Sequence, residues 1–194
     1  MLYILMGKSS SGKDTIFKEL INDKELDINT IVTYTTRPVR EGEADGVEYN
    51  FVSREDMERM ESSGKVIERR TYNTIYGQWD YFTVDDGLYD IYRKDYLIIG
   101  TLESFEKIRD YYGHDKVVPL YIEVEDGERL SRALARERGQ AEPKYAEMCR
   151  RFLADEEDFR MDRLEKLGIK DIYNNNDIGD CICKLKQEIR SNRN

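Results

Sequence analysis

The chain has 194 residues and a formal net charge of −9, with 39% hydrophobic and 37% charged residues. That length suits one domain with room for inserted segments, and the acidic balance lacks the basic stripe of a nucleic-acid binder. No apolar run approaches the ~20 residues of a membrane span, and a lone histidine, His114, argues against a histidine-built metal site or a Ser-His-Asp triad.

Leu2 to Met6 (LYILM) is an apolar run ending at a glycine and reads as a buried strand. It is too short for the core of a secretion signal. Cys149, Cys181 and Cys183 show no disulfide spacing, so a reducing, cytoplasmic setting is expected. Cys181 and Cys183, two apart on a predicted helix, point to nearly opposite faces and read as packing residues rather than ligands. After the first strand, Ile16, Phe17, Leu20 and Ile21 share one face of a helix.

Residues Ile31 to Phe82 are rich in Thr, Tyr, Arg and Gly, with short alternating runs at VEYNFV and VIERRTY. They predict a small strand-rich insertion with a helix near Arg54 to Glu61. The alternation of strand and helix then resumes. Leu97 to Gly100 precedes a helix carrying Phe105, Ile108 and Tyr112, and Val117 to Val124 precedes one carrying Leu130 and Leu134. Arg136 to Arg151 is basic and polar and reads as a mobile flap. Ala154 to Phe159 (ADEEDF) reads as a solvated helix face, and Ile178, Ile182, Leu185 and Ile189 mark a last helix. Strands alternating with helices predict a parallel sheet covered on both faces.

Between the first strand and the first helix stands Gly7-Lys8-Ser9-Ser10-Ser11-Gly12-Lys13-Asp14-Thr15, the G-x-x-x-x-G-K frame of a phosphate-binding loop in its required context. Gly7 and Gly12 let backbone N–H groups turn inward around phosphate oxygens. The helix N-terminus adds partial positive charge, and Lys13 can reach the outer phosphates. A nucleoside triphosphate with Mg²⁺ is the expected ligand. The residue after the lysine is usually Ser or Thr. Asp14 there has two readings: a first-turn acid favoured by the helix dipole, or an oxygen donor to Mg²⁺, with the Thr15 hydroxyl one residue on.

The discriminating stretch is TYTTRPVREGEADGVEYNFVS, Thr33 to Ser53, which resembles the monophosphate-binding segment of guanylate kinases almost position by position. The resemblance covers most of the chain: the phosphate loop, Glu68, the Tyr76–Gly77 pair, Arg138–Gly139 and the terminal Asn cluster. It implies an α/β P-loop NTPase core, with a parallel sheet flanked by helices, at residues 1–32, 83–135 and 152–194. It further implies a strand-rich NMP-binding insertion at 33–82 and a lid at 136–151. The implied activity is ATP-dependent phosphorylation of a nucleoside monophosphate, GMP favoured, by a monomer or homodimer using Mg²⁺. By the same resemblance, Arg37, Arg40, Tyr49 and Tyr76 hold the acceptor phosphate, and a planar guanidinium suits that dianion. Thr33 touches the base, Glu68 accepts the guanine N1 and N2 protons, and Glu43 orders the pocket. Lys13, Arg138 and Arg151, with Arg136 and Arg150 adjacent, neutralise the transferred group, and Asn174 lies near the donor adenine.

The sequence also departs from this family pattern. Where the family carries D-x-D after its second core strand, Gly100 and Leu102 stand here, and a base-contacting Ser or Thr is replaced by Gln78. Asp14 is then the expected substitute for the missing magnesium acid, with Glu103 as the fallback donor should the register differ. Guanine selectivity is expected to weaken, since losing a charged partner costs ~1.5–3 kcal/mol. Two alternatives follow: a catalytically degenerate binding or scaffold module, and a kinase for another phosphate-bearing acceptor. Trp79 is read as packing, with base stacking open to it.

Overall fold

The computed structural model of the chain describes residues 1–40, 42–74 and 77–193. The first strand, β1 (Leu2–Gly7), is buried along its whole length. Its side chains divide between two apolar clusters, Leu2, Ile4 and Met6 in one and Tyr3 and Leu5 in the other. Side chains alternate across a strand, so a strand apolar on both faces needs cover on both.

That cover is an α/β sandwich. A five-stranded sheet runs in the order β2 (Asn29–Thr30), β7 (Tyr96–Ile99), β1, β8 (Val117–Glu123), β9 (Ile172–Asn174), and every pairing is parallel. On one face lie α1 (Lys13–Asn22) and α7 (Ile178–Ser191), which contribute Ile16, Leu20, Cys181, Leu185 and Ile189. On the other lie α3 (Leu102–Tyr112), through Phe105 and Ile108, and α6 (Met161–Lys166), through Leu164. Cys181 is buried and Cys183 exposed, as their spacing predicts.

A second, four-stranded sheet holds β4 (Asn50–Phe51), β3 (Tyr34–Thr35), β6 (Gly77–Val84) and β5 (Val66–Thr74) in that order. The VIERRTY run forms much of β5, whereas only Asn50 and Phe51 of VEYNFV pair as strand. Strands β5 and β6 form an antiparallel pair in which Arg70 faces Tyr81 and Glu68 faces Thr83. Helix α2 (Arg54–Ser62) starts with a reciprocal cap between Ser53 and Asp56 and lays Met57 on Phe82 and Val84. The buried Asp80 carboxylate fixes this layer, accepting from Thr71 Oγ1 at 2.6 Å, Arg69 Nε at 2.9 Å and Arg54 at 3.3 Å.

Two expectations change. The basic stretch 136–151 is largely helical: α4 (Asp126–Arg138) and α5 (Tyr145–Asp158) run into it from both sides, and only 139–144 lie between them. The buried face of α4 is Arg129, Ala133 and Glu137, while Leu130 is 40% exposed and Leu134 only partly covered. Polar contacts made by Arg129 decide the rotation of that helix. No residue of α5 is fully buried, so polar contacts hold it too. Among the described residues, no helix is long and apolar enough to cross a membrane.

Candidate active site

The loop between β1 and α1 is shaped for phosphate. A Cβ on Gly7 would lie 2.6 Å from the Ile122 carbonyl oxygen. Gly12 has φ 86°, and a Cβ there would lie 2.5 Å from Asn175 Nδ2. Ser10 adopts a left-handed φ of 63°, a conformation found at strained functional loops. The Ser10 and Ser11 hydroxyls are buried and bond to no described residue. Such orphaned donors are costly, and phosphate oxygens would satisfy them. Lys13 opens α1. Burial pulls its pKa down, Asp14 and Asp155 oppose that, and Arg151 and Arg136 reinforce it. The lysine therefore sits among two carboxylates and two arginines. Arg136 and Arg138 are both exposed on the last turn of α4, and of the two it is Arg136, with Arg151, whose charge depresses the Lys13 pKa. Asp14 and Thr15 are exposed on the first turn of α1. Magnesium usually keeps several waters and takes only one or two protein oxygens beside the phosphates, so this pair fits it.

The acidic run in α5 is not a solvated face. Asp155 Oδ2 accepts from the Ser9 N–H at 2.7 Å, and Glu156 accepts from Lys8 Nζ at 2.8 Å to both oxygens. Arg129, 1% exposed, donates to Glu156 at 2.6 Å, Asp126 at 2.7 Å and the Ser9 carbonyl at 3.3 Å. Its guanidinium lies 4.6 Å from the centre of the Phe152 ring. Arg151 donates to Ser9 Oγ at 3.4 Å. Helices α4 and α5 thus clamp the first half of the phosphate loop. Sequence reasoning missed Arg129, Asp155 and Glu156; the charge run alone did not distinguish a docking face from a wet one.

The Asn cluster divides its work. Asn175, 3% exposed, donates from Nδ2 to the Ser11 carbonyl at 2.8 Å and fixes the loop. Asn174 is exposed and lines a cavity of about 360 Å³ with Lys8, Glu123, Asp126 and Asn176.

On the second sheet the TTRP motif aims an arginine. Thr35 Oγ1 donates to the Asp80 carbonyl at 2.8 Å and accepts from the Arg37 N–H at 3.3 Å. Arg37 is 4% exposed and forked onto Glu43, with both bonds at 2.7 Å. That bond first of all raises the arginine's pKa, and it lowers the Glu43 carboxyl to about 2. Tyr49 offers its ring 5.0 Å from the Arg37 guanidinium, and the Arg37 Nε is buried and bonds to no described residue. Arg40 is exposed, with its guanidinium 6.0 Å from the Trp79 ring. Thr33 is half-buried at the foot of β3. Tyr76 lies outside the described residues. Glu68 has a fully buried side chain that accepts from Arg70 Nε at 3.0 Å, Arg70 Nη2 at 3.2 Å and Thr83 Oγ1 at 2.8 Å.

The departures are filled by packing. A Cβ on Gly100 would lie 2.6 Å from Ile4 Cγ2 and 2.7 Å from Ser104 Oγ. Leu102 is 2% exposed within the core. Glu103 is exposed and paired with Lys107 at 2.7 Å. Gln78 Oε1 accepts from Arg54 of α2 at 2.9 Å, which holds it on the α2 side of the sheet.

Known proteins share this fold and parts of this sequence. The crystal structure of guanylate kinase from Anaplasma phagocytophilum superposes with a TM-score of 0.67 over 98% of this chain and 85% of that one, at 21% identity, and shows the fold alone. The guanylate kinase of Enterococcus faecalis is 42% identical over 114 residues, 57% of this chain and 53% of that protein. That of Porphyromonas gingivalis is 28% identical over 123 residues, 62% of this chain and 63% of that protein. The matched stretch therefore spans about half to two thirds of these relatives. A sequence model of the family described as guanylate kinase matches residues 1–192. With the phosphate loop and the TTRP-borne arginine both in place, the chain belongs to the guanylate kinase family.

Proposed function

We propose that the chain transfers the terminal phosphoryl group of ATP to a nucleoside monophosphate, with GMP the leading acceptor. One observation carries this reading: among the described residues, buried polar atoms without a partner stand in the loop after β1, as the Ser10 and Ser11 hydroxyls, and in the TTRP segment of the insertion, as the Arg37 Nε, while the remaining one, the Arg109 Nε, lies apart on α3. Two phosphate sites, one on each sheet, are what a phosphoryl-transfer enzyme requires, since its work is positioning and charge neutralisation.

In this reading the loop N–H groups and Lys13 hold the donor phosphates. Arg37, stiffened by Glu43 and Tyr49, holds the acceptor phosphate in line. Arg136 and Arg151 bring positive charge to Lys13 from the α4–α5 segment. Asp14 and Thr15 are the residues that would hold Mg²⁺, whose charge offsets that developing on the phosphate oxygens. We take residues 33–82 as the acceptor-binding insertion and 136–151 as the lid. Closure of both would exclude water and limit futile hydrolysis of ATP.

The test is ADP formation from Mg-ATP with GMP, dGMP, AMP, CMP and UMP. Turnover with one or more of them upholds the reading. Binding of ATP without turnover of any monophosphate overturns it and favours the scaffold alternative, which the seating of Asp155 on the Ser9 N–H also supports.

A further inference from the structure

The sheet proposed to bind the acceptor carries a cation that the proposed phosphate sites do not use. Arg70 lies on β5, two residues from Glu68 and on the same face, opposite Tyr81 of β6. Its side chain is 14% exposed and covers a Glu68 side chain that is fully buried. The contacts to Glu68 form a fork, Nε to Oε2 at 3.0 Å and Nη2 to Oε1 at 3.2 Å. Thr83 Oγ1 donates to the same Oε1 at 2.8 Å. A carboxylate accepts about four hydrogen bonds, so about one remains. Guanine presents two N–H groups side by side, N1 and N2, and this carboxylate cannot accept both as it stands.

The guanidinium has donors to spare. A guanidinium has five N–H donors, and Glu68 uses two of them. No described residue takes the other three. Tyr81, opposite Arg70 on β6, packs edge-on against Tyr49 at 5.6 Å, and Tyr49 in turn offers its ring 5.0 Å from the Arg37 guanidinium. Arg70 therefore stands on the strand beside the place proposed for the acceptor.

We propose that Arg70 reads the acceptor base through its O6 and N7 edge, with Glu68 as the positioning residue that aims it. The recognised class is then a 6-oxopurine nucleoside monophosphate, with or without the 2-amino group. An arginine fork matches O6 and N7 of such a base. Adenine turns an amino donor toward it instead. The 2-amino group goes unread, because Gly100 and Leu102 carry no carboxylate and Glu68 is filled. This inference rests on the reading that the chain binds a nucleoside monophosphate, but it is tested by binding rather than by turnover.

Titration calorimetry with GMP, IMP and AMP, without ATP, makes the test on the wild-type chain, Arg70→Lys and Arg70→Met. Lysine keeps the charge beside the buried Glu68, so the fold survives, but it lacks the fork. For the wild type, GMP and IMP should bind within about threefold of each other, and AMP about 10- to 100-fold more weakly. In Arg70→Lys that margin over AMP should collapse while AMP affinity holds. In Arg70→Met, Glu68 is released, and GMP should gain over IMP. A wild-type preference for GMP over IMP of about 100-fold or more would overturn the proposal. So would an equal loss of all three ligands in Arg70→Lys, which would make Arg70 a phosphate or scaffold residue. Selective binding without turnover would instead sink the kinase reading and leave this one standing.

Discussion

The Asp155 carboxylate accepts the Ser9 backbone N–H at 2.7 Å, so an acid of α5 occupies a donor of the phosphate loop. In the proposed reading, ATP competes with it. Asp155→Ala should tighten ATP binding by about three- to tenfold, the worth of one hydrogen bond of roughly 1 kcal/mol. Fluorescence titration with a labelled ATP analogue measures this; unchanged or weaker binding would refute it.

Arg129 is the buried junction of α4, α5 and the loop, bonded to Asp126, Glu156 and the Ser9 carbonyl. Removing one member of a buried ionic group leaves its partners uncompensated. Its carboxylate partners are partly exposed, which reduces the effect. Arg129→Met should therefore cost about 1–3 kcal/mol in chemical denaturation, with α5 losing amide-exchange protection before β1 and β8. A uniform loss across the chain would contradict the junction role.

Asn175 and Asn174 should separate by assay. Asn175→Ala strips the buried Ser11 carbonyl of its partner and should lower stability by about 1–3 kcal/mol. Asn174→Ala, at the exposed wall of the cavity beside Lys8, should leave the melting curve unchanged and alter the affinity for ATP over GTP. If the two variants melt alike, the division is wrong.

The Arg37–Glu43 pair sets an acid limit on the insertion. Arg37 holds the Glu43 carboxyl at about 2, below the roughly 4.3 of a free glutamate. A depressed folded pKa gives stability that is present above the unfolded value and lost as pH falls through the folded one. The stability gap between wild type and Glu43→Gln should thus be constant above about pH 5 and narrow from about pH 4 toward pH 2. A gap that does not change with pH would remove the charge from the explanation.

The core was legible because its rule is local. The LYILM run predicted a doubly buried strand, and Leu2 and Tyr3 do face opposite clusters. The helix at Arg54 appeared where its cap residues stood. The phosphate loop was legible from its glycine spacing between strand and helix, whereas Arg37 was marked by the resemblance of its TTRP segment to the guanylate kinases. Arg129, Asp155 and Glu156 were not, because a charged residue bonded across space reads like a charged residue in water until its partner is located. Arg70 was hidden for the same reason. The α4 leucines misled because helical period cannot tell which of two adjacent stripes meets the core when one carries an arginine with buried partners. The register of the Asn run needed the loop itself, since only Asn175 reaches the Ser11 carbonyl.

Gly100 gives the departure from the family pattern a direction. The space for a side chain there is held by Ile4 Cγ2 and Ser104 Oγ, and Ser104 also closes the reciprocal cap that starts α3. An aspartate could return only together with a smaller residue at position 4 and a rebuilt cap at position 104. Each of those changes alone weakens the core or the helix start without restoring an acid. The end of β7 is thus sealed by packing, and an acid engineered at position 100 would need compensating changes at positions 4 and 104 before it could reach solvent.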